Sequence, residues 1–385
     1  MLYRAPEPSK LPFPYQHYPL FDFSATPGWL DAFLGGYALP SQTKDFSSLF
    51  IGEPSQFDDE VLRHERHTIV TFDEAQLDTL EIRHRAQQEL EPQYQTFIIN
   101  FNCNFKVYEQ SLAEMQENAR DLQTNVIGFN YRNVGRSQGQ VKFMCHLIID
   151  GIAQVQRVLD QGVSPENITL NGLSIGGGIA TCVAWYFHRQ GKKVNLFNDR
   201  SFASSLKLVL SHVEGIPILG GILSLLCTLI IFNSAWYASI AELFQDIPGE
   251  FRDYMLVRTP RAERSVDSQD DLSIPHEGSL HFGLRDKRRE IKGNIDTQIT
   301  KCENEDQVNA NTLNELKKTK YEEKEKARNR KMEASVINIG EDYAHTLPKK
   351  YLFNRHGISA DTFFKNFVYR SYEEHGIKPS MCRNI

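Results

Sequence analysis

Ser174 is the residue whose surroundings most clearly predict chemistry. It stands in Gly172-Leu-Ser-Ile-Gly176, which fits the G-x-S-x-G pattern in which a strand turns sharply into a helix and exposes the serine hydroxyl. The flanks agree, because residues 168–173 form a short apolar strand pattern and residues 175–187 carry no charge, as in a buried helix. We therefore predict a nucleophilic serine on a strand–turn–helix, with an ordinary glycine-rich turn as the plainer alternative.

A serine hydroxyl is a weak nucleophile at neutral pH, so Ser174 needs a histidine to take its proton and a carboxylate to orient that histidine. Around this type of turn the acid precedes the histidine along the chain, and each lies on a loop after a strand. The loop after the predicted strand 254–259 offers three acids, and we favour Asp271 because a helix is predicted soon after it. Asp270 is the alternative acid, and Asp267 and the earlier Asp199 stay open.

The histidine of this predicted triad has two candidates near the end of the chain. His345 follows a predicted strand that ends near Ile339, so its loop can reach back over the sheet. His356 lies one segment later, nearer the predicted closing helix. We favour His345, and keep both His356 and the absence of a catalytic histidine as alternatives.

An acyl-transfer site also needs two backbone N–H groups for the negative oxygen of the tetrahedral intermediate. Ile175 supplies the first by position, because it directly follows the predicted nucleophile. The second is predicted in the short polar loop 102–105, which follows a buried strand. Phe105 is our choice for this donor and Asn104 is the alternative, with a plain turn as the plainer interpretation.

The elements that would position these residues form a hairpin followed by alternating strands and helices. The hairpin pairs residues 67–72 with 77–82, and the alternation then predicts an α/β fold with a mostly parallel sheet and helices on both faces. The predicted strands are 96–101, 125–129, 168–173, 193–197, 254–259 and 334–339; the predicted helices are 108–122, 143–159 and 360–372, the last after Ser359 as N-cap. This is the order of an α/β-hydrolase core.

Three stretches depart from that alternation. Residues 1–60 are rich in proline and aromatic residues, which predicts an extended arm on the outside of a domain spanning 61–385. Residues 215–241 carry no charge and predict cap or lid helices, with a membrane-associated segment as the alternative. A single membrane crossing is disfavoured, because it would separate Ser174 from every later Asp and His. Residues 285–335 are dense in both signs of charge, which predicts a solvated helical or mobile insertion.

Composition narrows the classes of function. A net charge of −6 gives no electrostatic case for binding nucleic acid. The six cysteines lie far apart without metal-ligand spacing, so we expect reduced thiols, no disulfide framework and no zinc site. We also expect no other metal and no cofactor. The N-terminus lacks the apolar region of a secretory signal, so we do not expect Sec export.

Three segments resemble a known family. The resemblance rests on Asn130-Tyr-Arg-Asn-Val-Gly-Arg-Ser137, Gly172–Gly178 and Leu196-Phe-Asn-Asp-Arg-Ser-Phe-Ala-Ser-Ser205. The chain resembles the SidB-type (SidB and Sdb) α/β-hydrolase-like substrates of the Dot/Icm type IV secretion system of Legionella, which have a related family in Chlamydia. The resemblance covers most of residues 65–372, and the order of parts is also similar to that of eukaryotic membrane phosphatidylserine lipases. The chain departs from the hydrolase pattern at Asn133 and Cys103, where glycine is usual.

We therefore expect a serine esterase or (phospho)lipase that attacks acyl esters through Ser174, Asp271 and His345 and passes through an acyl-enzyme. The apolar segment 215–241 favours a lipid or long-chain acyl substrate and peripheral membrane contact. The resemblance implies residence in the cytoplasm before export, recognition by the secretion machinery and delivery into a host cell as a virulence effector. The alternative is a catalytically inactive hydrolase-fold module that binds a host protein or membrane. Acyl transfer or peptidase activity with the same triad stays open.

Overall fold

A nine-stranded sheet forms the centre of the described part of the chain. The computed structural model describes residues 1–12, 14–15, 19–38, 44–213, 220–232, 234–257, 268–269, 271, 273–304, 314–315, 317–319, 331–334, 336–337, 345, 347–354 and 356–374. Its strands are β1 (Leu2–Arg4), β2 (Leu62–Val70), β3 (Gln76–His84), β4 (Phe97–Phe101), β5 (Asn125–Phe129), β6 (Ile168–Leu173), β7 (Asn195–Asp199), β8 (Arg252–Val257), β9 (Ser268–Gln269), β10 (Lys331–Ala334) and β11 (Val336–Ile337). Strands β9 and β11 pair with each other outside the large sheet.

The large sheet has the order β1-β2-β3-β5-β4-β6-β7-β8-β10. Strand β3 runs antiparallel to β2 and β5, and the other neighbouring pairs are parallel. The carboxyl ends of β4, β6, β7 and β8 therefore meet at one edge, where open α/β sheets bind their ligands. This strand order with one reversed strand is the α/β-hydrolase architecture, which confirms the fold class predicted from the sequence.

Helices cover both faces of the sheet. In chain order they are α1 (Trp29–Ala38), α2 (Arg85–Gln88), α3 (Leu112–Leu122), α4 (Met144–Asp160), α5 (Ile175–Arg189), α6 (Ser205–Val213), α7 (Gly220–Phe232), α8 (Ile240–Asp246), α9 (Leu280–Asn304) and α10 (Ala360–Glu374). Because side chains alternate along a strand, Phe97 and Ile99 of β4 belong to a core with buried residues of α4, α5 and α8, whereas Ile98 belongs to a second core with α3 and α10.

Most predicted elements are confirmed close to their predicted bounds. Strands β2 and β3 form the hairpin, and β5 and β6 occupy the predicted residues. Helix α10 begins after Ser359, whose Oγ accepts a hydrogen bond from the Thr362 N–H at 3.0 Å. Cys103, Cys145, Cys182 and Cys227 are free thiols.

Three predicted strands differ from the described ones. Strand β8 begins at Arg252 rather than at Tyr254, and residues 258 and 259 of the predicted strand 254–259 lie outside the described residues. Strand β7 covers Asn195–Asp199 rather than 193–197, because pairing with β6 sets its register from Thr169↔Asn195 to Leu173↔Asp199. The last strand of the sheet was predicted at 334–339, but the strand that pairs with β8 is β10, Lys331–Ala334. Within the predicted range, Val336–Ile337 form β11, which pairs with β9 outside the large sheet, and residues 335, 338 and 339 lie outside the described part of the chain. The alternating charges of β10, Lys331 and Glu333, are typical of an edge strand. Because of such charges, these residues were included in the predicted charged insertion 285–335.

The N-terminal extension contains more regular structure than the predicted extended arm. Strand β1 joins the sheet beside β2, and α1 covers Trp29–Ala38. Leu20, Phe21 and Phe46 are buried in the main core. The extension is thus part of the packed structure where it is described, while the boundary at residue 60 stays a prediction.

The two predicted insertions contain helices in their described parts. Helices α6 and α7 follow β7, and α7 lies within the predicted cap segment 215–241. Helix α9 reaches from Leu280 to Asn304 and so covers the first part of the charged segment 285–335. Across the described residues, no helix combines the length and apolar character that a membrane span requires.

Candidate active site

Ser174 occupies a strained position between β6 and α5. Its φ of 59° and ψ of −121° lie in a region that non-glycine residues rarely adopt, and such strain clusters at functional sites. The Ser174 N–H donates to the carbonyl of Asp199 at 2.9 Å, and the Ser174 carbonyl accepts from Gly177 at 3.0 Å. The turn is therefore held by the neighbouring strand on one side and by the first turn of α5 on the other.

The glycines of the motif are required by close backbone contacts. A Cβ at Gly172 would lie 2.4 Å from the carbonyl oxygen of Gly176, and a Cβ at Gly176 would lie 2.2 Å from that of Phe101. Distances this short leave no room for a side chain. The G-x-S-x-G spacing thus lets the turn close against both β6 and the end of β4.

His345 and Asp271, which are 74 positions apart in sequence, form a buried hydrogen-bonded pair. His345 Nδ1 lies 2.7 Å from Asp271 Oδ2. The other carboxylate oxygen, Oδ1, accepts from the N–H groups of Ser273 at 3.0 Å and Ile274 at 2.9 Å. In the tautomer whose Nδ1–H donates to this carboxylate, Nε2 is left as the hydrogen-bond acceptor of the ring.

Ser174 and His345 line the same cavity, of about 540 Å³. The sequence predicts that one histidine and one acid converge on this serine. Among the described residues, Ser174 and His345 both line this cavity, and His345 is hydrogen-bonded to Asp271. The cavity and the partner of His345 therefore provide the residue types of a Ser-His-Asp triad.

The alternative residues have different surroundings. Asp199 is fully buried and forms a bidentate ion pair with Arg200, at 2.7 and 3.0 Å. His356 lies in an exposed turn, where its N–H donates to Asn354 Oδ1. Asp267 and Asp270 lie outside the described residues.

The two predicted oxyanion donors differ in what surrounds them. Ile175 begins α5 and lines the cavity, and the first N–H groups of a helix have no partner within it. Phe105 also lines the cavity and has a φ of 61°, but its N–H donates to Asn104 Oδ1 at 3.0 Å. Phe105 can bind an oxyanion only after Asn104 releases that N–H group, so the second donor stays a prediction with Asn104 as its alternative.

The cavity wall is mostly apolar and comes from distant parts of the chain. Besides Ile175 and Phe105, its nonpolar lining residues include Leu34, Met144, Phe202, Leu208, Val209, Ile231, Trp236 and Ile274. Sequence reasoning did not single out Leu34, whereas Trp236 lies within the predicted cap segment 215–241. A helical signal was present for Leu34, because Leu30, Phe33 and Leu34 follow the i, i+3, i+4 spacing of an amphipathic helix.

The N-terminal helix α1 is fastened beside this cavity by polar contacts. Asp31 Oδ1 accepts from the Ala235 N–H at 2.7 Å, and the Asp31 carbonyl accepts from Trp236 Nε1 at 3.0 Å. A Cβ at Gly35 would lie 2.5 Å from the carbonyl oxygen of Val141. Helix α1 therefore packs closely enough to form a fixed wall of the cavity.

Cys103, a further potential nucleophile at the cavity, is unsuited to attack. Burial raises the pKa of its thiol, although the charges of Lys106 and Arg200 act in the opposite direction. A raised pKa keeps sulfur in the unreactive thiol form at neutral pH.

Within the described residues there is no group of three or more His, Cys, Asp or Glu arranged to hold a metal ion.

Comparison with known proteins gives likeness at the level of the fold. No protein-family model and no curated protein matches the chain. Similar solved structures include an alpha-beta hydrolase from Vibrio vulnificus, with 19% identity and a TM-score of 0.44 over 60% of this chain and 77% of that one. The esterase Pf2001 of Pyrococcus furiosus has 16% identity and a TM-score of 0.36 over 54% and 74%. An acetyl xylan esterase from Paenibacillus sp. R4 has 11% identity and a TM-score of 0.39 over 64% and 84%.

Proposed function

We propose that this chain is a serine hydrolase that cleaves carboxylic esters. Ser174 is the nucleophile, His345 the general base and Asp271 the acid that orients His345. The observation that carries the proposal is the 2.7 Å hydrogen bond between His345 Nδ1 and Asp271 Oδ2 at the wall of the cavity that Ser174 lines. The strained φ of 59° at Ser174 supports it, because strain of this kind presents the hydroxyl of a nucleophile elbow.

The reaction follows from the roles of these groups. His345 Nε2 takes the proton of Ser174 Oγ as that oxygen attacks the ester carbonyl, and the N–H of Ile175 stabilises the resulting oxyanion. The bond to the alcohol breaks, and the alcohol leaves with the proton from His345. Water then attacks the acyl-enzyme, gives its proton to His345 and releases the carboxylic acid as Ser174 recovers its hydrogen.

We further propose a substrate with a long acyl chain. The cavity of about 540 Å³ beside Ser174 is lined mainly by apolar side chains, and apolar clefts of several hundred Å³ bind ligands by burying most of their surface. A small acyl group would leave most of this volume unfilled. A lipid or long-chain ester fills it.

Helix α7 supports contact with a lipid surface at the same place. Ile231 lines the cavity, whereas Leu225, Leu226, Leu229, Ile230 and Phe232 are between 40 and 61% exposed. No charged residue interrupts 215–241, and exposed apolar patches mark interaction sites. We propose that α7 rests on a bilayer peripherally.

Replacing Leu226 and Leu229 together by glutamate tests this membrane contact. The double variant is expected to lose co-sedimentation with phospholipid vesicles while preserving hydrolysis of a soluble short-chain ester. Unchanged vesicle binding would contradict the proposed contact of α7 with a bilayer.

Delivery into a host cell by a type IV secretion system also remains a proposal, and it rests on the sequence resemblance. Fusing the chain to a translocation reporter in a bacterium with and without that system tests it. A signal from host cells that depends on the secretion system is expected. An equal signal from both strains would contradict it.

Two observations favour the alternative of an inactive hydrolase-fold module. The N–H of Phe105 is bound by Asn104 Oδ1, and Cys103 stands where this type of loop usually has glycine. A site with a single oxyanion donor would lose about 100-fold or more in rate. Such a protein would bind its partner or membrane without turnover.

Labelling by a fluorophosphonate probe separates the two functions, because the probe reacts with activated serines. Wild-type protein is expected to be labelled, and Ser174→Ala is expected to lose all labelling. Ser273→Ala is the matched control, because Ser273 also lines the cavity but contacts Asp271 through its backbone N–H. Absence of labelling in folded wild-type protein, together with no hydrolysis of chromogenic esters from two to sixteen carbons, would refute the hydrolase and favour the binding module.

A further inference from the structure

A buried group of charged side chains that the proposed mechanism does not use lies next to the site. Asp199 and Arg200 stand at the end of β7, Lys349 follows His345 by four residues, and Glu114 belongs to α3. Asp199, Arg200 and Lys349 are almost inaccessible to solvent. We call these four residues the β7 charge cluster. Burying a charge costs free energy unless the charge is paired. We therefore ask which function these buried ion pairs serve beside the site.

The cations of the cluster reach the segment that follows His345. Arg200 Nη1 donates to the carbonyl of Leu347 at 2.9 Å while its Nε and Nη2 hold both oxygens of Asp199. Lys349 Nζ donates to Glu114 Oε1 at 2.9 Å and lies 3.7 Å from Asp199 Oδ2. Two contacts therefore fix the chain two and four residues after His345.

Asp199 connects the same cluster to the nucleophile. Its main-chain carbonyl accepts the N–H of Ser174 at 2.9 Å, while its carboxylate holds Arg200 and lies near Lys349. Arg200 has a φ of 47°, so the chain turns sharply directly after Asp199. One residue thus touches the serine through its backbone and the histidine segment through its side-chain partners.

The charged state of the cluster is maintained by its own members. Burial lowers the pKa of Lys349, but the charges of Glu114 and Asp199 outweigh burial and the pKa is raised. Burial raises the pKa of Asp199, but Arg200 and Lys349 outweigh it and the pKa is lowered. Lysine and aspartate both remain ionised at neutral pH, as a tether built from ion pairs requires.

We propose that Lys349 and Arg200 are positioning residues that hold the His345 segment in register with Ser174, and this inference rests on the proposed function. They touch neither substrate nor reacting atoms. They act by fixing where the imidazole stands. Because a misplacement of about 1 Å in a catalytic group costs about 100-fold in rate, loosening this tether lowers kcat and leaves KM largely unchanged.

Substitutions at Lys349 test the inference against a matched neighbour. Lys350 also pairs with α3, through Glu117 at 3.1 Å, but both side chains are exposed. Lys349→Met is expected to lower kcat and the rate of fluorophosphonate labelling about 10- to 100-fold, with KM within about 3-fold. Lys349→Arg keeps the cation and is expected to recover at least about 3-fold of that loss. Lys350→Met should stay within about 2-fold of wild type, since exposed pairs contribute little.

The outcomes separate failure of this inference from failure of the proposed function. Wild-type protein that is not labelled at Ser174 would overturn both. Labelled wild type together with folded Lys349→Met of normal kcat, or with a change confined to KM, would overturn the positioning role alone. If Lys349→Met does not fold by circular dichroism, Glu114→Gln decides, because it weakens the 2.9 Å contact and leaves the lysine beside Asp199. A normal kcat for Glu114→Gln would then overturn the role, and a loss of about 3-fold or more would support it.

Discussion

Replacing Gly176 with alanine tests whether the turn at Ser174 must close against the proposed oxyanion loop. A Cβ at this position lies 2.2 Å from the carbonyl oxygen of Phe101 and 2.5 Å from that of Asn102. Real Cβ atoms stay beyond 3.0 Å, so α5 and the end of β4 must separate by about 0.8 Å. The obstructing atoms belong to the backbone, which cannot rotate aside as the tip of a side chain can.

This separation has an expected cost in stability and in rate. Forcing an extra methyl into a packed interior destabilises by about 1–3 kcal/mol. The displaced backbone continues directly into residues 102–105, which include both candidates for the second oxyanion donor. A shift approaching 1 Å there is expected to lower kcat about 100-fold. KM should change little, because the apolar cavity wall is left in place.

Urea unfolding and steady-state hydrolysis of a soluble chromogenic ester measure the two effects. Gly293→Ala is the control, because Gly293 lies within α9 and a Cβ there meets nothing within 4 Å. That control should gain about 0.5–1 kcal/mol from helix propensity and keep its activity. Gly176→Ala with wild-type stability and wild-type kcat would refute the argument that backbone contact fixes this loop.

Three further predictions follow from individual contacts. Asp271→Asn removes the acceptor that fixes the proton on His345 Nδ1 and should lower kcat about 10⁴-fold, with normal circular dichroism; a loss under 10-fold in a chromogenic ester assay would contradict the proposed acid. Leu34→Trp fills part of the cavity beside Ser174 and should lower the ratio of twelve-carbon to four-carbon ester hydrolysis about 10-fold. An unchanged ratio would show that Leu34 does not contact the acyl chain. Burial, and then the charge of Arg157, lowers the pKa of His67 to about 4. The unfolded chain therefore binds more protons than the folded chain between pH 6.5 and 4. The free energy of unfolding should fall by up to about 3 kcal/mol as the pH drops through this window. His67→Gln should reduce that pH dependence in urea unfolding, and an unaltered slope would contradict the assignment.

Local sequence was sufficient to predict the strand, turn and helix around Ser174. Residues 168–173 form β6 as predicted, because the constraint is local: a strand, two obligatory glycines and an uncharged helix. The hairpin of β2 and β3 was predictable for the same reason, since its alternation is continuous on both sides of one turn. Where neighbouring residues determine the conformation, the pattern in the sequence is enough.

Elements that depend on distant partners were missed or misplaced. Strand β1 is three residues long and exists through pairing with β2, more than 60 positions away. Strand β7 ends on Asn198 and Asp199, polar residues that an apolar pattern excludes. Asn198 is buried because its Nδ2 donates to the carbonyl of Gly177 and to Thr181 Oγ1. Tertiary hydrogen bonds of this kind leave no periodic signal.

The choice between Asp271 and Asp199 as the acid depends on the hydrogen-bond and ion-pair partners of each carboxylate, which the sequence does not give. Both follow predicted strands near the site, and both are buried. Asp199, however, already holds Arg200 with both carboxylate oxygens and lies near Lys349. Asp271 meets two backbone N–H groups through one oxygen, and presents the other to His345 at 2.7 Å. A carboxylate satisfied by cations stabilises a fold, whereas one left to neutral donors can orient an imidazole and stabilise its protonated form. Partners, more than position along the chain, therefore favour Asp271 for the chemical role and Asp199 for the structural one.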